Sequence, residues 1–305
     1  MQLTFLGTGG GLPSPSRGVS ALAVQIGREV LLFDCGEGTQ RQFMLSSLSF
    51  MKVSNIFITH FHGDHFLGLP GLIQSMNFSG RESDLHVFGP EGTIETVSAA
   101  ATLGAFRPLF KIYAGEMNGG DAVDLGFCTV SAIRADHTVP ALSFTIQEPD
   151  RRGRFDSRRA AELGVPAGPM FATLQSGEAV TVNGRTVDSK EVMGPPRPGR
   201  KVVYSGDTRP SEALLEAARG AEVLVHEATL DSSLREGADE YGHSTAKAAA
   251  ELARAAEVGR LILTHISNRY DDVEVLEREA REIFPETVVA HDLMTFPVRL
   301  RDSSQ

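Results

Sequence analysis

Thr59-His60-Phe61-His62-Gly63-Asp64-His65 sets three imidazoles and a carboxylate within six residues, His60 to His65, directly after the apolar stretch Val53 to Thr59. An extended chain leaving a strand points residues two apart to the same side, so His60 and His62 converge. Gly63 turns the chain and brings Asp64 and His65 to a helix entry facing the same pocket. Imidazoles crowded this closely repel one another as cations unless a metal organises them. One local cluster cannot fill two metal shells, so further donors must come from other strand ends. His137 in Ala135-Asp136-His137-Thr138, Asp207 in Tyr204-Ser205-Gly206-Asp207-Thr208 and His265 in Leu263-Thr264-His265 each follow an apolar strand and precede a change of direction. With the first cluster they make seven donors, enough for two metals sharing a carboxylate bridge. Nitrogen and oxygen donors without thiolate suit zinc best, with manganese or iron as alternatives.

Outward from this stretch, short apolar strands alternate with helical patterns. Strands are expected at 3–6, 21–26, 30–33, 53–59, 85–88 and 128–133 in the first half, with helices at 66–77 and 91–103. The second half repeats the style, with strands at 202–205, 222–226, 261–264 and 288–290 and helices at 211–219, 245–257 and 273–283. Two strand-rich halves with intervening helices predict a layered α/β/β/α sandwich. Residues 150–199 break the pattern: they are rich in glycine and proline and lack sustained periodicity, as expected of an inserted arm.

Length and composition allow a large core in a globular chain of 305 residues, 41% hydrophobic and 22% charged. No apolar run approaches the ~20 residues that cross a bilayer, and the N-terminus lacks a signal-peptide pattern, so a cytoplasmic location is expected. Cys35 and Cys128 read as two buried thiols. The formal charge of −10 argues against a nucleic-acid ligand for the chain as a whole, but charge is uneven. From Arg151 to Lys201 ten basic residues face five acidic ones, a basic module on an acidic body.

The His-x-His-x-Asp-His motif followed by separated His, Asp and His resembles the metallo-β-lactamase fold superfamily. That resemblance implies a four-layer αββα sandwich of α/β class. It implies that His60, His62 and His137 hold one metal, that Asp64, His65 and His265 hold the second, and that Asp207 bridges them. Further stretches look like the ribonuclease Z family of tRNA 3′-processing endonucleases. They are Gly7-Thr8-Gly9 with Pro13 and Arg17, Phe33-Asp34-Cys35-Gly36-Glu37-Gly38-Thr39-Gln40-Arg41, His226-Glu227-Ala228-Thr229 and His243-Ser244-Thr245, together with Gly153-Arg154-Phe155-Asp156 and Gly194-Pro195-Pro196 in the insertion. Gly18 departs from the asparagine often found there in the family. The resemblance spans nearly the whole chain. It implies one metallo-β-lactamase domain over 1–305, with the basic arm at about 150–199 gripping precursor tRNA, two zinc ions per subunit, and a homodimer.

The residue chemistry points the same way. Phosphodiester hydrolysis needs a nucleophile, charge neutralisation at phosphorus and a proton for the leaving oxygen, and two metals supply the first two. Asp64 is expected to orient or deprotonate the attacking water. Glu227 and His243 are not needed as ligands and can form an acid pair, since a carboxylate beside an imidazole keeps it protonated. Ser244 or Thr245 is expected to cap a helix. Asp34 is expected to support the metal site from behind, and His86, His226 and His291 to be structural. Phe106-Arg107-Pro108-Leu109-Phe110-Lys111 is a modest candidate for holding the tRNA end. The expected reaction is hydrolysis after the discriminator nucleotide, leaving a tRNA 3′-hydroxyl and a trailer 5′-phosphate. A hydrolase for a small phosphodiester, lactone or sulfate ester stays open as the alternative enzyme, and a metal-stabilised RNA-binding protein as the alternative class.

Overall fold

The computed structural model describes residues 1–300. Contacts divide the chain into two compact units, Met1–Gln147 with Arg200–Gln305, and Glu148–Gly199.

The first unit is built on two seven-stranded sheets. Its strands are β1 Gln2–Gly7, β2 Ala21–Ile26, β3 Glu29–Phe33, β4 Val53–Phe57, β5 Leu85–Gly89, β6 Ile112–Glu116, β7 Ala122–Asp124, β8 Thr129–Arg134, β9 Leu142–Gln147, β10 Lys201–Tyr204, β11 Val223–Glu227, β12 Leu261–Thr264, β13 Thr287–Val289 and β14 Thr295–Pro297. One sheet runs β14-β1-β2-β3-β4-β5-β6, the other β13-β12-β11-β10-β9-β8-β7. In each, four neighbouring strands are parallel: β3 to β6 in the first, β10 to β13 in the second.

Parallel strands covered on both faces are apolar on both, and alternation then decides which core each residue joins. Leu31 and Phe33 of β3 enter the core between the sheets, while Val30 and Leu32 face the helical side. Val223 and Val225 of β11 and Ile262 of β12 likewise face the inter-sheet core, with Leu224, Leu261 and Leu263 on the outer face. Rings lock the middle: Phe33 stacks on Phe57 at 5.2 Å, and Phe57 meets Phe144 of the opposite sheet at 5.5 Å. Helices α1 Thr39–Leu45, α2 Leu69–Phe78 and α3 Thr93–Thr102 cover the outside of the first sheet. Helices α4 Glu212–Ala218, α5 Ala246–Ala255 and α6 Glu274–Ile283 cover the second. The layers are therefore α/β/β/α, as the strand and helix patterns predict. Thr245 caps α5 by accepting from the Ala248 amide, while Ser244 donates to the Thr208 carbonyl.

The second unit is not a structureless insertion. It has helices Ser157–Glu162 and Pro169–Ser176 and a hairpin, Val180–Val182 with Arg185–Val187. The hairpin turns through Asn183 and Gly184, both at positive φ, the pairing a two-residue turn requires. A small core of Ala160, Val165, Leu174, Val180, Val187 and Val192 holds it together. Its charge corrects the sequence reading: between Glu148 and Gly199 eight basic residues face seven acidic ones, because Arg200 and Lys201 belong to the other unit and Glu148 and Asp150 to this one. Arg159 pairs with Glu162, and Arg185 with Glu191. Four of its eight basic residues stand at its neck, near its two ends, where Arg151 and Arg197 pair backbone to backbone beside Arg152 and Arg154, with Glu148 and Asp150 in the same stretch.

Cys35 and Cys128 are buried thiols, and no disulfide occurs among the described residues. No helix among the described residues is long and apolar enough to cross a membrane.

Candidate metal centre

The carboxyl ends of the parallel strands of both sheets meet, and there the expected donors come together. This is where open α/β sheets present their binding groups. The chain leaving β4 is tied to the other sheet by the Leu142 amide donating to the Thr59 carbonyl. His62 starts the single helical turn Gly63–Phe66, which carries Asp64 and His65. Cys35 after β3 donates its amide to the His65 carbonyl at 2.7 Å and so fixes that turn.

Two donor groups form around Asp207. His60, His62, His137 and Asp207 offer ligand atoms all within 4.8 Å of one another, and Asp64, His65 and His265 do the same. In the first group the facing atoms are His60 Nε2, His62 Nδ1 and His137 Nε2, with His62 Nδ1 at 3.1 and 3.2 Å from the other two. Asp207 Oδ2 faces both groups, 3.7 Å from His60 Nε2, 3.3 Å from His65 Nε2 and 3.2 Å from His265 Nε2. His65 Nε2 and Asp207 Oδ1 are buried without a hydrogen-bond partner. Buried polar atoms of this kind are normally satisfied, and here both belong to a convergent set of nitrogen and oxygen donors. The residues therefore fit two cations, with a donor chemistry suited to zinc.

The back of each imidazole is held so that the front lone pair faces inward. His65 Nδ1 donates to Asp34 Oδ2 at 2.8 Å, and Thr59 Oγ1, which donates to Asp34, accepts from His60 Nδ1 at 3.0 Å. His137 Nδ1 donates to the Gly242 carbonyl at 2.7 Å. Asp34 is fully buried and also takes the Thr59 amide and the Tyr204 hydroxyl. Asp34 and His265 both sit at positive φ, 59° and 57°, a rare conformation for such side chains that is concentrated at functional sites.

Electrostatics favours a cation here. Burial opposes the charge on Asp207, yet the surrounding imidazoles, His265 and His65 foremost, hold its carboxyl well below the usual range. Asp64 is likewise held far below it, against burial, by the neighbouring His265 and His65 imidazoles. Burial drives His60 and His137 towards the neutral form that ligates metal.

Beside the second donor group, His243 Nδ1 lies 3.0 Å from Glu227 Oε1. Burial disfavours the charged imidazole, but the Glu227 carboxylate outweighs it and pushes the pKa up to about 9. Glu227 is no surface residue: it ends β11, 1% exposed. His243 Nδ1 is also 3.8 Å from Asp207 Oδ2, so His243 has a third potential donor position, with Asp207 and His265. Ligation through that atom would forfeit the Glu227 bond.

Other candidates lie apart. Phe106–Lys111 leads into the start of β6, with the Lys111 carbonyl accepting from Leu85 at the start of β5. The donors sit at the other end of these parallel strands, a strand length or roughly 16 Å away. His86 stacks on Tyr113 at 5.1 Å, and His226 is buried with Nδ1 donating to the Glu227 carbonyl. His291 bonds the Asp292 carbonyl. Sequence reasoning missed Thr59, Tyr204, Thr229 and the Gly242 carbonyl. It also missed Asp292, which accepts from Thr8, the Gly18 amide and Gln42 while Arg17 donates to Thr8 and the Ala290 carbonyl. Arg17 thus ties its loop to the segment after β13.

Residues 1–104, which contain the first donor cluster, match the family described as Anti-Pycsar protein Apyc1. Residues 175–266, which contain Asp207, Glu227, His243 and His265, match the beta-lactamase superfamily domain. The chain is 46% identical to a protein named Ribonuclease Z from Methanosarcina acetivorans over 99% of both chains. It is 44% identical to one of the same name from Myxococcus xanthus, again over 99% of both. Among solved structures, the short form of human tRNase Z superposes with a TM-score of 0.71 at 28% identity, covering 98% of this chain and 100% of that one. The metallo-β-lactamase fold protein YhfI from Bacillus subtilis has the same TM-score at 18% identity, covering 97% of this chain and 98% of that one, a likeness of fold alone.

Proposed function

The chain belongs to the ribonuclease Z family, metal-dependent endoribonucleases on the metallo-β-lactamase fold, and from that premise we propose that it removes the 3′ trailer from precursor tRNA by hydrolysing one phosphodiester. The products are a tRNA with a 3′-hydroxyl and a trailer with a 5′-phosphate. His60, His62 and His137 would hold one zinc ion, Asp64, His65 and His265 the other, and Asp207 both. When bound, such a pair lowers the pKa of water and neutralises charge on phosphate oxygens.

The protein's own groups do the rest. Asp64 Oδ2 accepts the Gly11 amide at 2.7 Å, which orients the carboxylate to align the attacking water and take its proton. His243, protonated at neutral pH and held through Nδ1 by Glu227, presents its other nitrogen to the leaving 3′ oxygen and gives it the proton. The observation that carries this reading is the buried Glu227–His243 pair standing beside the two donor groups. Hydrolysis by the donors alone would not require it.

The neck arginines of the Glu148–Gly199 unit support a role for that unit in contacting the tRNA backbone. A homodimer is part of the proposal. It is supported by an exposed apolar patch in which Phe78 is 96% and Leu109 88% exposed, next to each other because the Leu109 amide donates to Asn77. The reading carries a cytoplasmic site of action.

The test is a precursor tRNA with a 3′ trailer, cut by the zinc-loaded protein and by Asp64→Ala, with both product ends mapped. A single cut beside the discriminator that disappears in the variant supports the proposal. Turnover of a small phosphodiester without tRNA cleavage would sink it in favour of a small-substrate hydrolase.

A further inference from the structure

Thr229 stands between the donor cluster and the acid pair. Its hydroxyl oxygen is 2.7 Å from Glu227 Oε2 and 2.8 Å from His265 Nδ1. A hydroxyl has one proton to donate, and an ionised carboxylate can only accept. The Thr229 proton therefore goes to Glu227, and the hydroxyl lone pair must receive a proton from His265. That places a proton of His265 on Nδ1, so that in the neutral ring a metal requires the lone pair is on Nε2, the atom 3.2 Å from both Asp64 Oδ2 and Asp207 Oδ2. The reverse arrangement would set a hydroxyl lone pair against a carboxylate lone pair at 2.7 Å.

Neither partner can turn away from this hydroxyl. Glu227 is held at Oε1 by the Thr208 amide and His243, and at Oε2 by the Thr229 amide as well as the hydroxyl. His265 is pinned by its backbone at φ 57° and by Gly10, where an added Cβ would come 2.5 Å from the imidazole. His60, His65 and His137 are backed by Thr59, Asp34 and the Gly242 carbonyl, none of them bonded to Glu227 or His243. The group backing His265 is shared with the acid pair.

We propose that Thr229 is a positioning residue that sets the metal-facing tautomer of His265 and the orientation of Glu227 with a single hydroxyl. It thereby couples occupancy of the second metal position to alignment of the proton donor. This rests on the reading of His265 as a ligand and of Glu227 with His243 as the acid pair.

The test compares Thr229→Val, which keeps the shape and removes the hydroxyl, with Thr229→Ser, which restores it. Zinc affinity is measured by competition with a chromogenic chelator, and kcat and KM on precursor tRNA. Thr229→Val should weaken one of the two zinc ions by ~10–100-fold, the usual cost of losing such an outer partner. It should lower kcat with little change in KM, and Thr229→Ser should recover both. In a His265→Ala background, Thr229→Val should cost no further zinc affinity, because the coupling runs through that imidazole. Unchanged zinc affinity in Thr229→Val, or a serine variant as impaired as the valine one, overturns the proposal. So does an equal loss with and without His265. If Thr229→Val does not fold, Thr229→Ala against Thr229→Ser gives the same comparison. Wild-type binding of both ions by His265→Ala alone would instead overturn the ligand reading beneath it.

Discussion

His243 Nδ1 lies 3.0 Å from Oε1 of Glu227, a carboxylate 1% exposed and bonded at both oxygens. A buried anion so placed sets the charge state of its neighbour. Burial favours the neutral ring and the carboxylate favours the charged one; the carboxylate prevails, and the imidazole is pushed up to about 9. A group raised in this way is protonated below its pKa and loses the proton as pH rises through it. With His243 as the proposed acid, its proton is present at neutral pH, and kcat/KM should decline on the alkaline side near pH 9. In Glu227→Gln only burial and weaker neighbours remain, so that limb should move to lower pH. A limb that stays in place in Glu227→Gln would assign it to another group. His243→Ala should cut turnover by at least ~100-fold with both zinc ions retained. Loss of an ion would mean that His243 uses its third donor position.

Asp34 joins the two sheets beneath the metal site. Its carboxylate takes protons from the Thr59 amide and hydroxyl, from His65 and from Tyr204 of the other sheet. Asp34→Asn has nearly the same shape but puts an NH2 group where donors converge. Each buried donor left without an acceptor costs about 1–3 kcal/mol. We expect a lower melting temperature even in zinc-free protein, and weaker zinc binding because His65 loses its backing. If the variant melts like wild type without zinc and differs only with it, Asp34 acts through the metal alone.

The ligand geometry also depends on what is missing at residue 10. A Cβ on Gly10 would lie 2.5 to 2.9 Å from three atoms of the His265 ring, which its backbone and Thr229 prevent from moving aside. Gly10→Ala should therefore reduce zinc affinity and activity while leaving the fold, whose three large cores lie elsewhere, intact. Circular dichroism and zinc titration on the same sample separate these effects. Unaltered zinc affinity would mean that the loop at Gly10 yields instead.

These relationships were legible in the sequence to different depths. The seven candidate donors stand out in the sequence because four crowd into the stretch after one apolar strand and the other three each follow a short apolar strand of their own. Thr59 and Thr229 do not, since a hydroxyl becomes structural only through partners supplied by other strands. Leu142–Gln147 carries no strand expectation in the sequence, although it pairs with the central strand of the second sheet. The run Phe106–Lys111 showed the right residue types for RNA, but residue type carries no information on which end of a parallel strand a loop serves. The basic arm was seen for its composition, while its small core was hidden by glycine and proline turns that interrupt every period. Its net charge is smaller than that of Arg151 to Lys201 because the compact unit exchanges two basic residues for two acidic ones.

That exchange sharpens what removal of the arm should do. With eight basic and seven acidic residues, the unit as a whole has little long-range pull on RNA. The proposed phosphate contact is by the neck arginines, where the backbones of Arg151 and Arg197 pair and Gly153 passes so close to Gly194 that no side chain fits between them. Two deletions can be told apart on this basis. Replacing residues 154–193 by a short turn joins the chain where it already touches itself and keeps Arg151, Arg152 and Arg197, whereas replacing residues 150–198 removes them. Both should spare hydrolysis of a small chromogenic phosphodiester, because every candidate metal donor and the Glu227–His243 pair lie in the other unit. If the neck arginines hold phosphate, the longer deletion should raise KM for precursor tRNA more than the shorter one and flatten its salt dependence, each lost phosphate contact reducing the slope by about one. Equal KM values would move the contact to the distal part of the unit, and loss of the small-substrate activity in both would make the unit structural.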